Sequence, residues 1–430
     1  MTTFLNRKKQ PNIQPPGRIN FPRPEIAQLS NGIKVYQFNS GTQDVISIEM
    51  VFAAGSWFQK KPFTAMATNL MLREGTRSFS ARELSESLDY YVAHFENTTE
   101  RDNAYVSLYS LNKHLEHTLP LLAEIVKKPV FPEMEYAVLS GKQRQMLEVN
   151  LQKVNFLART RFNPIVFGKA HPYGMNLEPG DIAAVNHSDL ADFHKSQYHS
   201  GNCTIVIAGL IKPGLIQAIE EYFGGDDWGG IPSEKNNIAP IGSGQKTHFI
   251  AKDGAMQSAI RMGCQLFTRS HPDFAGMKVL NAILGGYFGS RLMTNLREDK
   301  GYTYGIGSSV VPLQHGGFFV ISGEVGADVT KEALSEIKSE LRRLCDEKVP
   351  GNELSLVRNY LSGEMLRAVD GPFAQADLYC ELIEDHLDIS HFEWLLDTVQ
   401  QINAQQLQDL AIKYLDPDKL FTLIVGPVEI

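Results

Sequence analysis

Phe63-Thr-Ala-Met-Ala-Thr-Asn-Leu-Met-Leu-Arg-Glu-Gly75 has a counterpart later in the chain, Phe274-Ala-Gly-Met-Lys-Val-Leu-Asn-Ala-Ile-Leu-Gly-Gly286. The opening phenylalanine, the methionine that follows it and the closing glycine match at one constant offset. The apolar spacing predicts a helix at about residues 63–73 and a second at about 272–284. This repeat is the first indication that the chain consists of two similar halves.

Other landmarks return in the same order. Pro132 to Leu139-Ser-Gly141 matches Pro350 to Leu361-Ser-Gly363, and the strand-like Ile205-Val-Ile-Ala-Gly209 matches Leu423-Ile-Val-Gly426. Several matches in one order indicate a gene duplication. Strands that run into long helix pairs favour antiparallel sheets over βαβ units. We therefore predict an α+β fold of two tandem homologous domains, each an antiparallel β-sheet flanked by helices, facing one another across a cavity.

The elements of each half follow from apolar periodicity. Ser80 and Glu83 form a predicted capping box at the start of a helix, and Asn186 opens another helix pattern. Strands are predicted at residues 34–38, 45–52, 104–111, 204–209, 247–265, 303–311 and 317–324. Further helices are predicted at about residues 81–91, 112–127, 133–158, 290–298, 328–346 and 351–368.

Composition shifts set the domain boundaries. Residues 1–28 are polar and proline-rich, which predicts an extended arm that packs loosely if at all. Residues 29–222 form the first predicted domain. Glycine, proline, serine and asparagine at 223–245 mark a linker, and residues 246–430 form the second domain.

Charge and composition exclude several classes of protein. The 430-residue chain carries a net charge of −8 and has a pI of about 5.9, whereas a nucleic-acid binder would show a basic face. No stretch approaches the ~20 apolar residues that span a bilayer, and the N-terminus lacks the apolar segment of a signal peptide. The four cysteines have no zinc-finger spacing and fit a reducing compartment. We expect a cytoplasmic protein without nucleic-acid or membrane partners.

Four motifs together resemble the pitrilysin/insulinase-like zinc peptidase family, the inverted zincins. They are spread over nearly the whole chain, from Leu29 to Gly426, and the strongest is the last: Leu29-Ser-Asn-Gly-Ile-Lys-Val35, Phe52-Ala-Ala-Gly-Ser56, Arg73-Glu-Gly-Thr76 and Leu296-Arg-Glu-Asp-Lys-Gly-Tyr-Thr-Tyr304. The resemblance implies a two-domain peptidase fold. It also implies that the arginine and the tyrosine of the last motif reach from the second domain toward a substrate at the metal.

The chain departs from this family at the metal site. Family enzymes carry H-x-x-E-H, in which two histidines bind zinc and the glutamate acts as base toward the metal-bound water. Counted back from Gly75, the histidine positions are Met66 and Leu70, and the glutamate position is Asn69. The third family ligand is a glutamate near Glu148, although a slip of one residue puts Val149 there. These side chains cannot hold a catalytic zinc, so we expect no metal and no cofactor in this chain.

Arg297 and Tyr304 are the predicted catalytic contributions of the chain. By the resemblance, the guanidinium and the phenol bind the substrate carbonyl and stabilise the developing oxyanion. The alternative is a surface arginine after a helix and a half-buried strand tyrosine.

The glycine-rich run 284–290 lacks the lysine of a phosphate-binding loop. By the resemblance to non-catalytic subunits, it would contact substrate through Gly285, Gly286 and Gly289. The alternative there is a tight turn that requires small residues.

Two further patterns have weaker functional readings. His114 and His117 could share a helix face, but their spacing is wrong for this family and no third ligand is evident, so we interpret them as surface histidines. The stretch Phe52-Ala-Ala-Gly-Ser56 is the family's edge strand by resemblance, and it could add an extended peptide to the sheet. The alternative is an edge protected by its surroundings.

The resemblance implies the non-catalytic subunit of a heterodimeric zinc peptidase. A homologous partner of similar size would carry H-x-x-E-H and the zinc, and unfolded peptides or small oligopeptides would be the substrates. Two alternatives stay open. One is a structural scaffold subunit, as in respiratory complexes, and the other is an autonomous enzyme with a rearranged metal site. Whether the isolated chain forms a homodimer is also open.

Overall fold

The computed structural model describes residues 19–232 and 238–427, together with Lys8. Its strands fall into two groups separated along the chain. The strands are β1 Glu25–Gln28, β2 Lys34–Asn39, β3 Val45–Phe52, β4 His94–Thr99, β5 Ala104–Leu111, β6 Cys203–Gly209, β7 Thr247–Ala251, β8 Gln257–Leu266, β9 Thr303–Leu313, β10 Gly316–Gly326 and β11 Phe421–Gly426.

Helices follow the strands in both halves. They are α1 Thr64–Met71, α2 Ala81–Tyr90, α3 Leu115–Lys127, α4 Glu133–Asn150, α5 Val154–Phe167, α6 Pro179–Ala184, α7 His187–Gln197, α8 Leu215–Phe223, α9 Phe274–Asn281, α10 Thr330–Asp346, α11 Gly351–Arg367, α12 Pro372–Glu384, α13 Ser390–Gln401 and α14 Ala404–Tyr414. Two wide π-helical segments, Ala282–Gly286 and Met293–Asp299, lie in the second half. The capping boxes at Ser80 and Asn186 form as the sequence predicts.

The two sheets have the same topology, as expected of a duplicated domain. The first has the order β1-β2-β6-β3-β5-β4 and the second the order β7-β11-β8-β10-β9. Apart from β1, each strand has its counterpart in the same position. Each sheet also contains one parallel pair, β2 with β6 and β7 with β11. The α+β fold of two homologous domains is confirmed, and the sheets are antiparallel in all pairs but these two.

Equivalent helices of the two halves cover each other's sheets. Helix α5 of the first half packs on β8 and β11 of the second, where Phe162 is fully buried. Helix α12 of the second half packs on β2 and β6 of the first, where Tyr379 lies 5.2 Å from Phe38 between ring centroids. Burying an aromatic side chain of this size stabilises the fold by about 1.5–3 kcal/mol. The halves are therefore interlocked by a reciprocal exchange of helices.

A cleft of about 840 Å³ lies between the halves. Arg161 and Met175 line it from the first half, and His248 and Phe249 line it from the second. The linker closes one side, because the N–H of Ile241 donates to the carbonyl of Phe167 at 3.0 Å. The two domains thus face one another across a cavity, as predicted.

The described part of the N-terminal arm packs tightly, contrary to the prediction. Ile19 and Phe21 are buried in the core of the second half, and the Phe21 ring lies 6.0 Å from that of Phe392. Residues 25–28 then form β1, which pairs with β2. Proline-rich composition hides this packing, because the two buried side chains are isolated among polar neighbours. The part of the arm before residue 19, Lys8 apart, lies outside the described residues.

Three other local predictions are corrected. The helix predicted at 133–158 is broken at Lys153, whose extended backbone directs α5 onto the other half's sheet. The residues Ala53–Ser56 do not form an edge strand, because β3 lies between β5 and β6 and the N–H of Gly55 already donates to the Asp102 carbonyl at 3.1 Å. The edges of this sheet are β1 and β4, and the sequence pattern revealed neither strand.

The described residues include no helix long and apolar enough to cross a membrane.

All four cysteines are free thiols, and Cys203 and Cys380 are buried. Burial raises the pKa of the Cys203 thiol well above its ordinary value. Buried thiols of this kind behave as small apolar side chains.

Candidate functional site

Helix α1 carries the three residues at the family's metal-binding positions. Met66 is 38% exposed and points out of the core, Leu70 is half-buried, and Asn69 is fully buried. Neither apolar side chain offers a nitrogen or oxygen ligand, and a thioether suits soft metals rather than a catalytic zinc.

Asn69 has a structural task of its own. Its amide Nδ2 lies 3.2 Å from the Thr98 carbonyl, 3.4 Å from the Tyr105 carbonyl and 3.1 Å from the Tyr198 hydroxyl. Thr98 and Tyr105 face each other across the β4–β5 pair. In return, the Asn97 side chain donates to the Asn69 carbonyl. The amide therefore fastens α1 to the edge of the sheet, a role that needs a donor and that a carboxylate could not fill.

The third metal position also fails to supply a ligand set. Arg144 donates to the Glu148 carboxylate at 3.0 Å within α4, and the neighbouring Val149 is 57% exposed. Among residues 19–232 and 238–427, no three histidine, cysteine, aspartate or glutamate side chains come together as a metal site. The residues present do not fit zinc, so no step of a reaction is assigned to a metal in this chain.

Arg297 and Tyr304 lie close together. An aromatic residue that the sequence did not lead us to expect, Phe288, packs against the same arginine. The guanidinium carbon of Arg297 lies 5.3 Å from the Tyr304 ring centroid and 4.5 Å from that of Phe288. Tyr304 is 89% exposed and Phe288 is 62% exposed. The arginine is thus held against two rings at the surface of the second half. The sequence could have pointed to Phe288, because it is an aromatic residue within a glycine-rich run.

Local backbone structure places this cluster. Arg297 lies in the π-helical segment Met293–Asp299. The side-chain amide of Asn295 anchors this segment by donating to Glu336 at 3.1 Å and to Glu340 at 2.8 Å. Gly301 then adopts a left-handed φ of +66°, which glycine reaches without strain. The chain turns there into β9, which begins just before Tyr304.

The polar atoms of the pair are uncommitted. Within the part of the chain that the structure describes, neither the Arg297 guanidinium nor the Tyr304 hydroxyl makes a hydrogen bond or an ion pair with another residue. A guanidinium presents five N–H donors and a phenol one O–H donor. The cluster can therefore donate to a carbonyl or carboxylate oxygen brought from outside.

The three glycines of the nearby loop differ in their surroundings. Gly285 is buried, and a Cβ there would lie 2.6 Å from the Ser308 backbone nitrogen in β9. That glycine is required for packing, which is the structural alternative. Gly286 and Gly289 are exposed, and the loop between them carries Phe288 to the arginine.

The Arg297–Tyr304 pair does not line the cavity that the described residues form beside the degenerate metal helix. The cavity beside Met66 measures about 230 Å³ and is lined by first-half residues alone, among them Phe63, Arg101 and Met175. The pair is exposed elsewhere, on the second half.

His114 and His117 both lie against an aromatic ring, and this packing accounts for them without a role as metal ligands. The His117 ring stacks on the Tyr91 ring with centroids 4.6 Å apart, and His114 lies 5.5 Å from the same ring. His114 ends a short 3₁₀ turn before α3, whereas His117 lies within α3. The stacking supports the interpretation of these residues as surface histidines.

Comparisons with known families agree with the motifs. A model described as "Insulinase (Peptidase family M16)" matches residues 34–164, and one described as "Peptidase M16 inactive domain" matches residues 184–361. Together these two matches cover more than half of the chain, with the first falling in the first half and the second overlapping both.

Relatives extend over most of the chain. An uncharacterized zinc protease of Rickettsia felis is 24% identical over 349 residues, which are 80% of this chain and 83% of that protein. The mitochondrial-processing peptidase subunit beta of Mus musculus is 22% identical over an alignment of 450 residues, covering 99% of this chain and 88% of that protein.

A solved structure shares the fold. It is described as a peptidase M16 inactive domain from Pseudomonas fluorescens, and it matches with a TM-score of 0.84 and 24% identity over 94% of this chain and 98% of that one. The family models, the duplicated topology and the replaced ligand positions lead to one conclusion. The chain belongs to peptidase family M16, as an inactive member of it.

Proposed function

We propose that this chain is the non-catalytic subunit of a heterodimeric zinc peptidase. A homologous subunit of similar size carries H-x-x-E-H and the zinc, and this chain supplies Arg297 and Tyr304 to a chamber shared with it. The substrates are unfolded peptides or small oligopeptides. The exposed glycines Gly286 and Gly289 contact the substrate, and Gly285 keeps their loop against β9.

One observation carries the proposal. Arg297 is oriented by two rings, yet within the described chain its donors and the Tyr304 hydroxyl have no acceptor. Donors that are oriented but unsatisfied suit a role in which charge develops on a visiting oxygen, because no reorganisation is then needed during the reaction.

The chemistry of peptide hydrolysis can be divided in this way. Activation of water requires the metal, which lowers the pKa of the bound water. Polarisation of the scissile carbonyl requires only oriented donors. A chain with Met66 and Leu70 at the histidine positions can perform the second task and not the first.

Reconstitution tests the proposal. The tagged full-length chain is used to isolate a homologue with intact H-x-x-E-H from the source cells, and cleavage of an unfolded peptide is then measured for each subunit and for the pair. We expect turnover by the pair that a chelator abolishes, and none by this chain alone.

Three other results would each contradict the proposal. Chelator-sensitive turnover by the pure chain alone would make it an autonomous enzyme. Turnover by the partner that this chain does not increase, or recovery of the chain only with a membrane complex, would make it a structural scaffold.

A further inference from the structure

A further cavity lies in the second half, beside the described end of the N-terminal arm. It measures about 260 Å³, and neither Arg297 nor Tyr304 is among its lining residues. At roughly 30 Å³ per water molecule, this space equals about nine waters, which is close to the size of a carboxylic acid of about eight carbons. The cavity is therefore large enough for a small organic molecule.

Most of the cavity wall is apolar. Phe21 of the arm forms part of it, and the ring of Phe21 lies 6.0 Å from the ring of Phe392 on α13. Helices α9, α11 and α13 contribute further apolar side chains, among them Phe274, Leu361 and Leu395. A hydrocarbon chain placed here would leave water for an apolar surface, which is favourable.

One amino group in the lining has no partner. Four charged side chains line the cavity: Arg269, Lys278, Glu364 and Glu381. Arg269 donates to Glu381 at 2.7 Å, and the Tyr360 hydroxyl donates to Glu364 at 2.5 Å. Among the described residues, Lys278 makes neither a hydrogen bond nor an ion pair. Its three N–H donors can therefore bind an acceptor that enters the cavity.

The duplication shows how unusual this lysine is. By the offset that aligns Phe63 with Phe274, Lys278 of α9 corresponds to Ala67 of α1, which is fully buried. Burial lowers the pKa of the half-buried Lys278 ammonium below its ordinary value. The charged form is thus poorly hydrated, and an anionic oxygen beside it would compensate for the lost hydration.

We infer that this cavity binds a medium-chain monocarboxylate, with its hydrocarbon chain among the apolar side chains and its carboxylate on the Lys278 ammonium. A head group with two negative charges fits less well, because Glu364 and Glu381 lie in the same lining and would repel it. The inference does not rest on the proposed function, since it involves neither a peptide nor the partner subunit.

A series of ligands that differ only in the head group tests the inference. Isothermal titration calorimetry on the full-length chain measures the Kd of octanoate, octanol and octylamine. We expect octanoate to bind, octanol to bind about tenfold more weakly, or ~1.4 kcal/mol, and octylamine to bind most weakly because its ammonium would face that of Lys278. Absence of octanoate binding, or equal affinity for the three compounds, would overturn the inference.

A variant then tests the role of Lys278. We expect Lys278→Met to weaken octanoate binding about tenfold and to leave octanol binding unchanged, because only the carboxylate loses a charged donor. The matched control is Lys331→Met, since Lys331 is exposed on α10 and does not line the cavity. Circular dichroism verifies that both variants fold.

Two outcomes of this comparison would contradict the assignment. They are unchanged octanoate affinity in Lys278→Met and an equal loss of affinity in the Lys331→Met control. The head-group series needs no variant, so it decides the question even if Lys278→Met does not fold. Neither measurement uses the partner subunit or turnover, and failure here is therefore distinct from failure of the proposed function.

Discussion

The guanidinium of Arg297 lies over the ring of Phe288, with 4.5 Å between the guanidinium carbon and the ring centroid. Phe288 belongs to the glycine-rich loop, whereas Arg297 belongs to the helix that follows it. This contact joins two motifs that are separate in the sequence. It leaves the edges of the guanidinium, where its N–H donors lie, available to a third group.

The first prediction concerns these donors. In the reconstituted pair, we expect Arg297→Ala or Tyr304→Phe to lower kcat by about 10²–10³-fold, the usual cost of losing one donor to a developing oxyanion. Steady-state kinetics on an unfolded peptide measures this, and size-exclusion chromatography verifies that the pair still assembles. Arg367→Ala, on the exposed end of α11, is the control. Unchanged turnover in both site variants would refute their role.

The second prediction concerns Phe288 as a positioning residue. We expect Phe288→Ala to lower kcat about twofold to fivefold with little change in KM, because an exposed cation–π contact contributes about 0.5–1 kcal/mol. Phe288→Tyr keeps the ring and should restore turnover. A merely structural loop residue would instead change the free energy of unfolding without this selective rescue, and such a result would remove Phe288 from the site.

The third prediction concerns Asn69. Asn69→Asp replaces a buried donor with a carboxylate that faces the carbonyls of Thr98 and Tyr105. We expect the free energy of unfolding to fall by about 2–4 kcal/mol. The two carbonyls would lose their donor, and the buried carboxylate would face them as one acceptor against others. Urea unfolding measures the change. Asn359→Asp, exposed in the middle of α11, is the matched control and should change stability little. Equal effects at both positions would show that the Asn69 hydrogen bonds contribute little.

The fourth prediction concerns the contact between the halves. Burial raises the pKa of Glu384 on α12 to about 7 from its ordinary 4.5, with Asp385 and Glu381 adding repulsion and Arg269 opposing it. Tyr105 of the first half donates to this carboxyl. A raised pKa means that the folded state binds more protons than the unfolded one. The stability from this group is therefore complete below pH 4.5 and is lost as the pH rises through about 7.

The measurement is the free energy of unfolding across this range of pH. We expect the wild-type chain to lose up to about 3 kcal/mol more than Glu384→Gln as the pH rises, which is the energy of the pKa change. Glu332→Gln, exposed on α10, should follow the wild type. Parallel pH profiles for wild type and Glu384→Gln would contradict the prediction.

Much of the fold could be predicted because apolar periodicity is local. Helix α2 begins after Ser80 and α7 after Asn186, as the capping boxes indicate, and the duplicated motifs correspond to equivalent strands and helices. The break at Lys153 and strand β4 were missed. The sequence pattern of residues 133–158 predicts one continuous helix. Only the packing of α5 on the other half's sheet explains why the chain turns at Lys153.

The candidate site divides in the same way. The sequence by itself determined what this chain lacks, because the chemistry of a methionine, a leucine and an asparagine at the metal-binding positions does not depend on their surroundings. It also singled out Arg297 and Tyr304. Only the tertiary structure decided that Asn69 fastens α1 to β4, that Phe288 stacks on Arg297, and that a cavity lies beside Met66. These are contacts between distant segments, whose geometry is set when the sheets and helices pack and not by any local pattern.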